Sequence, residues 1–176
     1  HNIGLCYQLG KGVAQDHREA MTWFRKAADM GEISSMRKLG AGHLSGLGVA
    51  KDTERAISWY RKAVALGDSA AMNDLGAIYQ LGQFVRQDYK QAIAFYRMAA
   101  ALDNPNAIHN LASIYAQGLG VDRDNDEALA LYSKAANLGS IRSMRHLGYM
   151  HYLGQGAAQD YEAAVSWFRK AADNGD

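Results

Sequence analysis

Six histidines, eighteen carboxylates and one cysteine are the side chains here that could act as acids, bases, nucleophiles or metal ligands. Their spacing argues against each role. No two histidines stand four residues apart, the separation at which a helix presents a pair to one zinc ion. His1, His43, His109, His146 and His151 fall within or beside expected helices. Asp16, Asp52, Asp88, Asp124 and Asp160 are each 36 residues from the next, so they are not expected to meet as an acid–base pair. Each stands where a helix would open, and capping accounts for all five. Cys6 has no base near it in sequence and reads as a small core hydrophobe. Trp23, Trp59 and Trp167 read as core rather than a ligand cage. No catalytic residue, metal site or cofactor is expected.

The elements that would position these side chains share the aspartates' period. Gly10, Gly46, Gly82, Gly118 and Gly154 recur every 36 residues, and so do Ala20, Ala56, Ala92, Ala128 and Ala164. An aromatic returns as Phe24, Tyr60, Tyr96, Tyr132 and Phe168. The frame divides the chain into repeats of about 1–32, 33–68, 69–104, 105–140 and 141–176, the first lacking its opening residues. Together they form one array and one domain. Each repeat reads as two helices. Helix A carries apolar residues at helical spacing, as in Met72, Leu75, Gly76 and Tyr79. It follows Glu32, Asp68, Asn104 or Ser140, of which all but Glu32 are favoured N-caps. Pro105 falls at a first helical position. Helix B opens at the recurring Asp, and Asp16–Glu19, Asp88–Gln91 and Asp124–Glu127 have capping-box spacing. It ends in basic residues such as Arg25 and Lys26, before a glycine (Gly31, Gly67, Gly139, Gly175) placed for a left-handed turn.

A glycine inside helix A (Gly4, Gly40, Gly76, Gly148, with Ala112 in the fourth repeat) costs about 1 kcal/mol in helix propensity. It therefore predicts a close crossing that needs a missing side chain. Helix B presents an apolar face wider than one partner can bury, so stability is expected from stacking of repeats. With 48% hydrophobic residues the chain should fold, and a formal charge of +1 provides no general pull toward nucleic acid or membrane. No apolar run reaches the length of a membrane span. The chain lacks an initiator Met and a signal-peptide pattern, so its parent is expected to extend beyond both ends; periplasm, secretion and cytoplasm stay equally open.

These strings, "LGAIYQLG" at 75–82 and "GLGVAKDTERAISWYRKAVALG" at 46–67, resemble the Sel-one-like repeat family, a relative of the tetratricopeptide repeats. The resemblance covers the whole chain in five copies. It implies an all-α fold, a right-handed α-α superhelix (solenoid) of five 36-residue helix-turn-helix repeats, and a scaffold role in a bacterial setting. Cysteine-rich members staple each repeat with a disulfide; this chain, with Cys6 alone, departs from them. A plain tetratricopeptide array would have a shorter period and a tighter turn. A pentatricopeptide RNA reader would carry a basic groove.

The functional expectation is a non-catalytic scaffold that binds a protein or peptide, possibly acidic, in the concave groove lined by helices A. The alternative is a structural array of a larger envelope or secreted protein whose activity lies in another domain. Carbohydrate binding is weaker, for no exposed aromatic ladder repeats. With Met36, Leu39 and Gly40 taken as the buried stripe, the opposite face supplies the candidate contacts: Arg37, Lys38, Asn73, Asp74, His109, Asn110, Arg142, Arg145, His146, Tyr149 and Tyr152. Phe84 replaces a loop glycine, which predicts a different loop path at 82–87 and a further contact. Asp103 replaces a turn glycine. Trp167 and Phe168 are expected to lack the cover that a following repeat would give.

Overall fold

The computed structural model describes residues 1–175, and among them it shows ten α-helices and no strand. The A helices are α1 (Asn2–Leu9), α3 (Ile33–Ser45), α5 (Ser69–Leu81), α7 (Pro105–Gln117) and α9 (Ile141–Leu153). The B helices are α2 (His17–Asp29), α4 (Thr53–Ala65), α6 (Tyr89–Ala100), α8 (Asn125–Asn137) and α10 (Tyr161–Asp173). Each helix packs on the next in sequence, and α5 also touches α7. The result is an all-α solenoid.

Two junctions set this geometry. At the A-to-B junction the recurring Asp does two tasks. Its carboxylate accepts the backbone N–H three residues on, from Glu19, Arg55, Gln91, Glu127 or Ala163. Its own N–H donates back to helix A, to the carbonyl of Tyr7, His43, Tyr79, Tyr115 or His151, at 2.9–3.0 Å. Only half of the expected capping box forms, because the donor that the box would use is already bonded to helix A. At the B-to-A junction the N–H groups of Glu32, Asp68, Asn104 and Ser140 close helix B by bonding the carbonyls of Ala27, Ala63, Ala99 and Ala135. The same residues' side chains then cap the next helix. Glu32 is no exception: its two carboxylate oxygens take the N–H groups of Ser34 and Ser35 at 3.1 and 2.6 Å. Burial raises the Glu32 pKa, but the bonds from Ser35 and Ser34 outweigh it and the carboxyl is lowered.

The residue between the last helical position and that cap is left-handed in every repeat. Gly31, Gly67, Gly139 and Gly175 hold it, and Asp103 holds it at φ 52°, the one non-glycine with positive φ among the described residues. Its carboxylate forms an exposed ion pair with Lys134 at 2.7 Å.

The helix-A glycines seat the aromatic ring of their own repeat. A Cβ on Gly4 or Gly40 would lie 2.7 Å from the ring of Phe24 or Tyr60, and on Gly76 or Gly148 2.5 Å from that of Tyr96 or Phe168. Phe24, Tyr60, Tyr96 and Tyr132 are buried, while Phe168 and Trp167 on the last helix are half-covered. The core crosses repeat boundaries in three apolar clusters, the first of which joins α2, α3, α4 and α5. Gly42 lies outside the repeating glycine classes. A Cβ there would meet Met21 of the preceding repeat at 2.7 Å. The equivalent position in α1 is Cys6, over which no preceding B helix lies; it is exposed rather than buried in the core.

The expected departure at Phe84 is present. Gly12, Gly48, Gly120 and Gly156 have φ between 70° and 77°, and Phe84 is not among the positive-φ residues. At Gly48, Gly120 and Gly156 a Cβ would run into the start of the previous B helix, at His17, Tyr89 or Asn125. Phe84 instead takes another backbone region and packs half-buried, with Lys51 5.4 Å above its ring.

Candidate protein-interaction surface

Consecutive A helices are joined by a ladder of polar side chains. His1 meets Ser35 at 2.8 Å, Asn104 donates to Ser69 at 3.2 Å, and His109 meets Ser143 at 2.8 Å. Asn110 donates to Asn73 at 3.0 Å and receives Arg142 at 3.1 Å. Arg37 lies 3.2 Å from Asp68, an ion pair too misaligned to count as a hydrogen bond. These contacts span 31 to 37 residues, the distance from one A helix to the next.

The ladder sorts the residues expected on the groove. Asn73, Asn110 and Arg37 are half-buried and turned toward the neighbouring repeat. Asp74 is half-buried near Arg37; burial raises its pKa, Arg37 opposes that, and Asp68 adds to it. His109 corrects the expectation of an open contact. It is 6% exposed, its ring 5.3 Å from Tyr132 and 5.1 Å from His146. Burial, with Arg142, His146 and Arg145 nearby, lowers its pKa to about 3, so it is a neutral core residue. The physical reason is that a helix flank can face the next repeat as well as solvent. His146 is half-buried and shifted the same way, by burial first and then by Arg145 and Arg142. Tyr132, beneath both rings, is pushed up to about 12, chiefly by burial. Lys38 and Arg145 are half-buried.

What stays open is concentrated on α9. Arg142 is exposed, and Tyr149 and Tyr152 are 52% and 51% exposed. Each tyrosine is braced edge-on by a ring of α10: Tyr149 by Phe168 at 5.1 Å and 74°, Tyr152 by Tyr161 at 5.4 Å and 63°. A cleft of about 260 Å³ beside them is lined by Gln117, Tyr132, His146 and Tyr149. The sequence pattern named these tyrosines but not the Phe168 and Tyr161 rings that brace them. Among the described residues, no three His, Cys, Asp or Glu side chains are grouped to hold a metal ion, and no helix is long and apolar enough to cross a membrane.

Paired helices, a 36-residue frame and an apolar core shared between repeats define an α-solenoid of the tetratricopeptide-like class. Within that class the family model for the Sel1 repeat matches residues 1–32, 33–68, 69–104, 105–140 and 141–176, and the chain belongs to the Sel1 repeat family. A Sel1 repeat protein from Oxalobacter formigenes is 35% identical, with a TM-score of 0.91 over 99% of this chain and 71% of that one. The protective antigen c5321 of uropathogenic Escherichia coli, described as displaying an SLR fold, is 33% identical, with a TM-score of 0.88 over 99% of this chain and 38% of that one. Over 41 residues the sequence is 49% identical to HRD3A of Arabidopsis thaliana, an ERAD-associated E3 ubiquitin-protein ligase component. That match takes in 23% of this chain and 6% of HRD3A. Sel1 repeats serve in general as protein-interaction scaffolds.

Proposed function

We propose that this chain is a non-catalytic scaffold that holds a partner protein against the surface of its A helices, with the exposed end of α9 as the anchor. The observation that carries this reading is the pair of braced, half-open tyrosines on α9, the helix whose first turn carries exposed Arg142. Rings already fixed by neighbours lose little side-chain entropy on binding, and aromatic residues with Arg are the side chains that dominate interface energies. The partner segment is apolar or aromatic with a carboxylate to meet Arg142. The basic start of the expected groove contributes less, because Arg37 is engaged with Asp68. The second reading, an array that serves a larger protein, draws support from the 38% of c5321 that a chain of this length covers.

The test compares proteins retained by the immobilised chain with those retained by its Tyr149→Ala/Tyr152→Ala variant. Partners that bind wild type and dissociate at least about tenfold faster from the variant support the reading. If every retained protein leaves both forms at the same rate, the α9 end is not the anchor.

A further inference from the structure

A cleft of about 700 Å³ opens between α2 and the loop and first turn that lead into α4. Its floor is apolar: Met21 and Leu39 are 4% and 2% exposed, and half-buried Val49 lies beside them. Its rim is basic. Arg18, Arg25, Lys26, Lys51 and Arg55 line it, all exposed, against the single carboxylate of Asp52. His43, buried in the cleft wall, stands where the next two repeats carry the larger Tyr79 and Tyr115. Its Nδ1 donates to the Ala50 carbonyl at 3.1 Å, which ties the ring to the cleft wall.

The corresponding positions of the other repeats do not reproduce this rim. Arg18 is replaced by Glu54, Lys90 and Asp126, and Arg55 by Gln91, Glu127 and Ala163. The rim charges are also available. Arg25 and Arg55 pair at the surface with exposed Asp29 at 3.4 Å and half-buried Asp52 at 3.1 Å, partners that compete weakly with an incoming carboxylate, and Arg25 and Lys26 also rest over the Trp59 and Trp23 rings. Lys51 rests over the Phe84 ring rather than on an acid. Structural need does not explain Arg18 either. It is the second residue of α2, where a positive charge opposes the helix dipole.

We propose that this cleft is a second docking site, separate from the α9 surface, for a short linear segment in which acidic residues flank one aliphatic side chain. The aliphatic group sits on Met21, Leu39 and Val49, and the carboxylates meet the cations of the two walls. A small inorganic anion suits the cleft less well, because the cations stand exposed around an apolar floor and do not converge on a buried point. This proposal does not rest on the α9 reading, which concerns another repeat and other residues.

The test uses the 176-residue chain and a fluorescein-labelled peptide, Gly-Ser-Glu-Glu-Leu-Glu-Glu-Ser-Gly, in fluorescence anisotropy at low ionic strength. A matched peptide with Gln for each Glu, inorganic phosphate and phosphatidylserine vesicles are the comparison arms. The acidic peptide should bind at least about tenfold more tightly than the Gln peptide, with affinity falling as salt rises. Arg18→Glu/Lys51→Glu should weaken it by about tenfold or more, and Glu at the second position of α2 suits the helix dipole, so the fold survives. His43→Tyr, which installs the residue of the next repeats and leaves every cation in place, should also weaken it. Arg169→Glu, an exposed position on α10 outside both surfaces, should change it less than about twofold. Binding that R18E/K51E and H43Y leave unchanged overturns the proposal, as does an acidic peptide that fails to bind at millimolar concentration. Phosphate or vesicles that bind in an Arg18- and Lys51-dependent way while the peptide does not would also overturn it, and would assign the cleft to that anion.

Discussion

Replacing Gly76 by alanine sets helix propensity directly against packing. In an isolated helix the change would stabilise by about 1 kcal/mol. Here the new methyl carbon would lie 2.5 and 2.6 Å from Cε1 and Cδ1 of Tyr96, well inside the roughly 3.5–4.0 Å at which carbon atoms rest. The ring must retreat by about 1 Å. It is poorly placed to do so, because Tyr96 is 0% exposed and its hydroxyl donates to Gln80 at 2.6 Å. Overpacking of this kind costs about 1–3 kcal/mol, and weakening the hydroxyl bond adds about 1. Set against the propensity gain, the expected net loss is about 2 kcal/mol. For a chain of this size that lowers Tm by roughly 4–8 °C. Thermal unfolding followed together by far-UV circular dichroism and aromatic fluorescence measures it. The fourth repeat provides the contrast. Ala112 stands at the same place, and the Tyr132 hydroxyl bonds Ser113, while Ala116 occupies the position equivalent to Gln80. Ala112→Gly should therefore destabilise by about 2 kcal/mol, the propensity term plus the loss of one buried methyl. A Gly76→Ala protein that melts at or above the wild-type temperature would refute the argument that the ring requires glycine.

Three further outcomes follow from the geometry. Gly48→Ala should cost about 2–3 kcal/mol in urea unfolding, since the added carbon meets the His17 backbone at a φ of 77° that alanine resists; an unchanged midpoint would mean that the loop relocates freely. Asp103→Gly should stabilise by up to about 1 kcal/mol, because relief of the left-handed backbone outweighs an exposed ion pair with Lys134, and a lower Tm would show that the pair matters more. Folded His109 refuses the proton that an unfolded histidine accepts near pH 6.5, until about pH 3, so its contribution is complete above pH 6.5 and declines as pH falls below it. The decline amounts to about 2 kcal/mol by about pH 5. His146 acts in the same direction, whereas Asp74, raised by burial, acts in the opposite one. The informative comparison is therefore wild type with His109→Gln, which should show a flatter dependence of the urea midpoint on pH between these values; equal slopes would contradict the assignment.

The sequence by itself determined everything settled within a few residues of chain. The helix pairs, the recurring Asp caps and the left-handed glycines after helix B follow from backbone geometry and local hydrogen bonding, and the glycine inside helix A could be read as a close crossing from its cost in helix propensity. These features recur at one period, so they could be read without knowing where any repeat lay in space. The tertiary structure decided what each helix face meets. A helical wheel reports angle about one axis and not what lies opposite: Tyr149 on a flank of α9 faces solvent, whereas His109 on a flank of α7 meets the next repeat's Ser143. Cys6 has the apolar character of a core residue, and only the folded structure shows it exposed. Asp103 holds a glycine's conformation, and only the folded chain shows that Lys134, on another helix, reaches its carboxylate. The basic cleft was invisible for the same reason: Arg18, Arg25 and Lys26 come from one helix, and Lys51 and Arg55 from the approach to another. Burial and charge proximity are properties of pairs of elements, and stacking of the repeats fixes which elements become pairs.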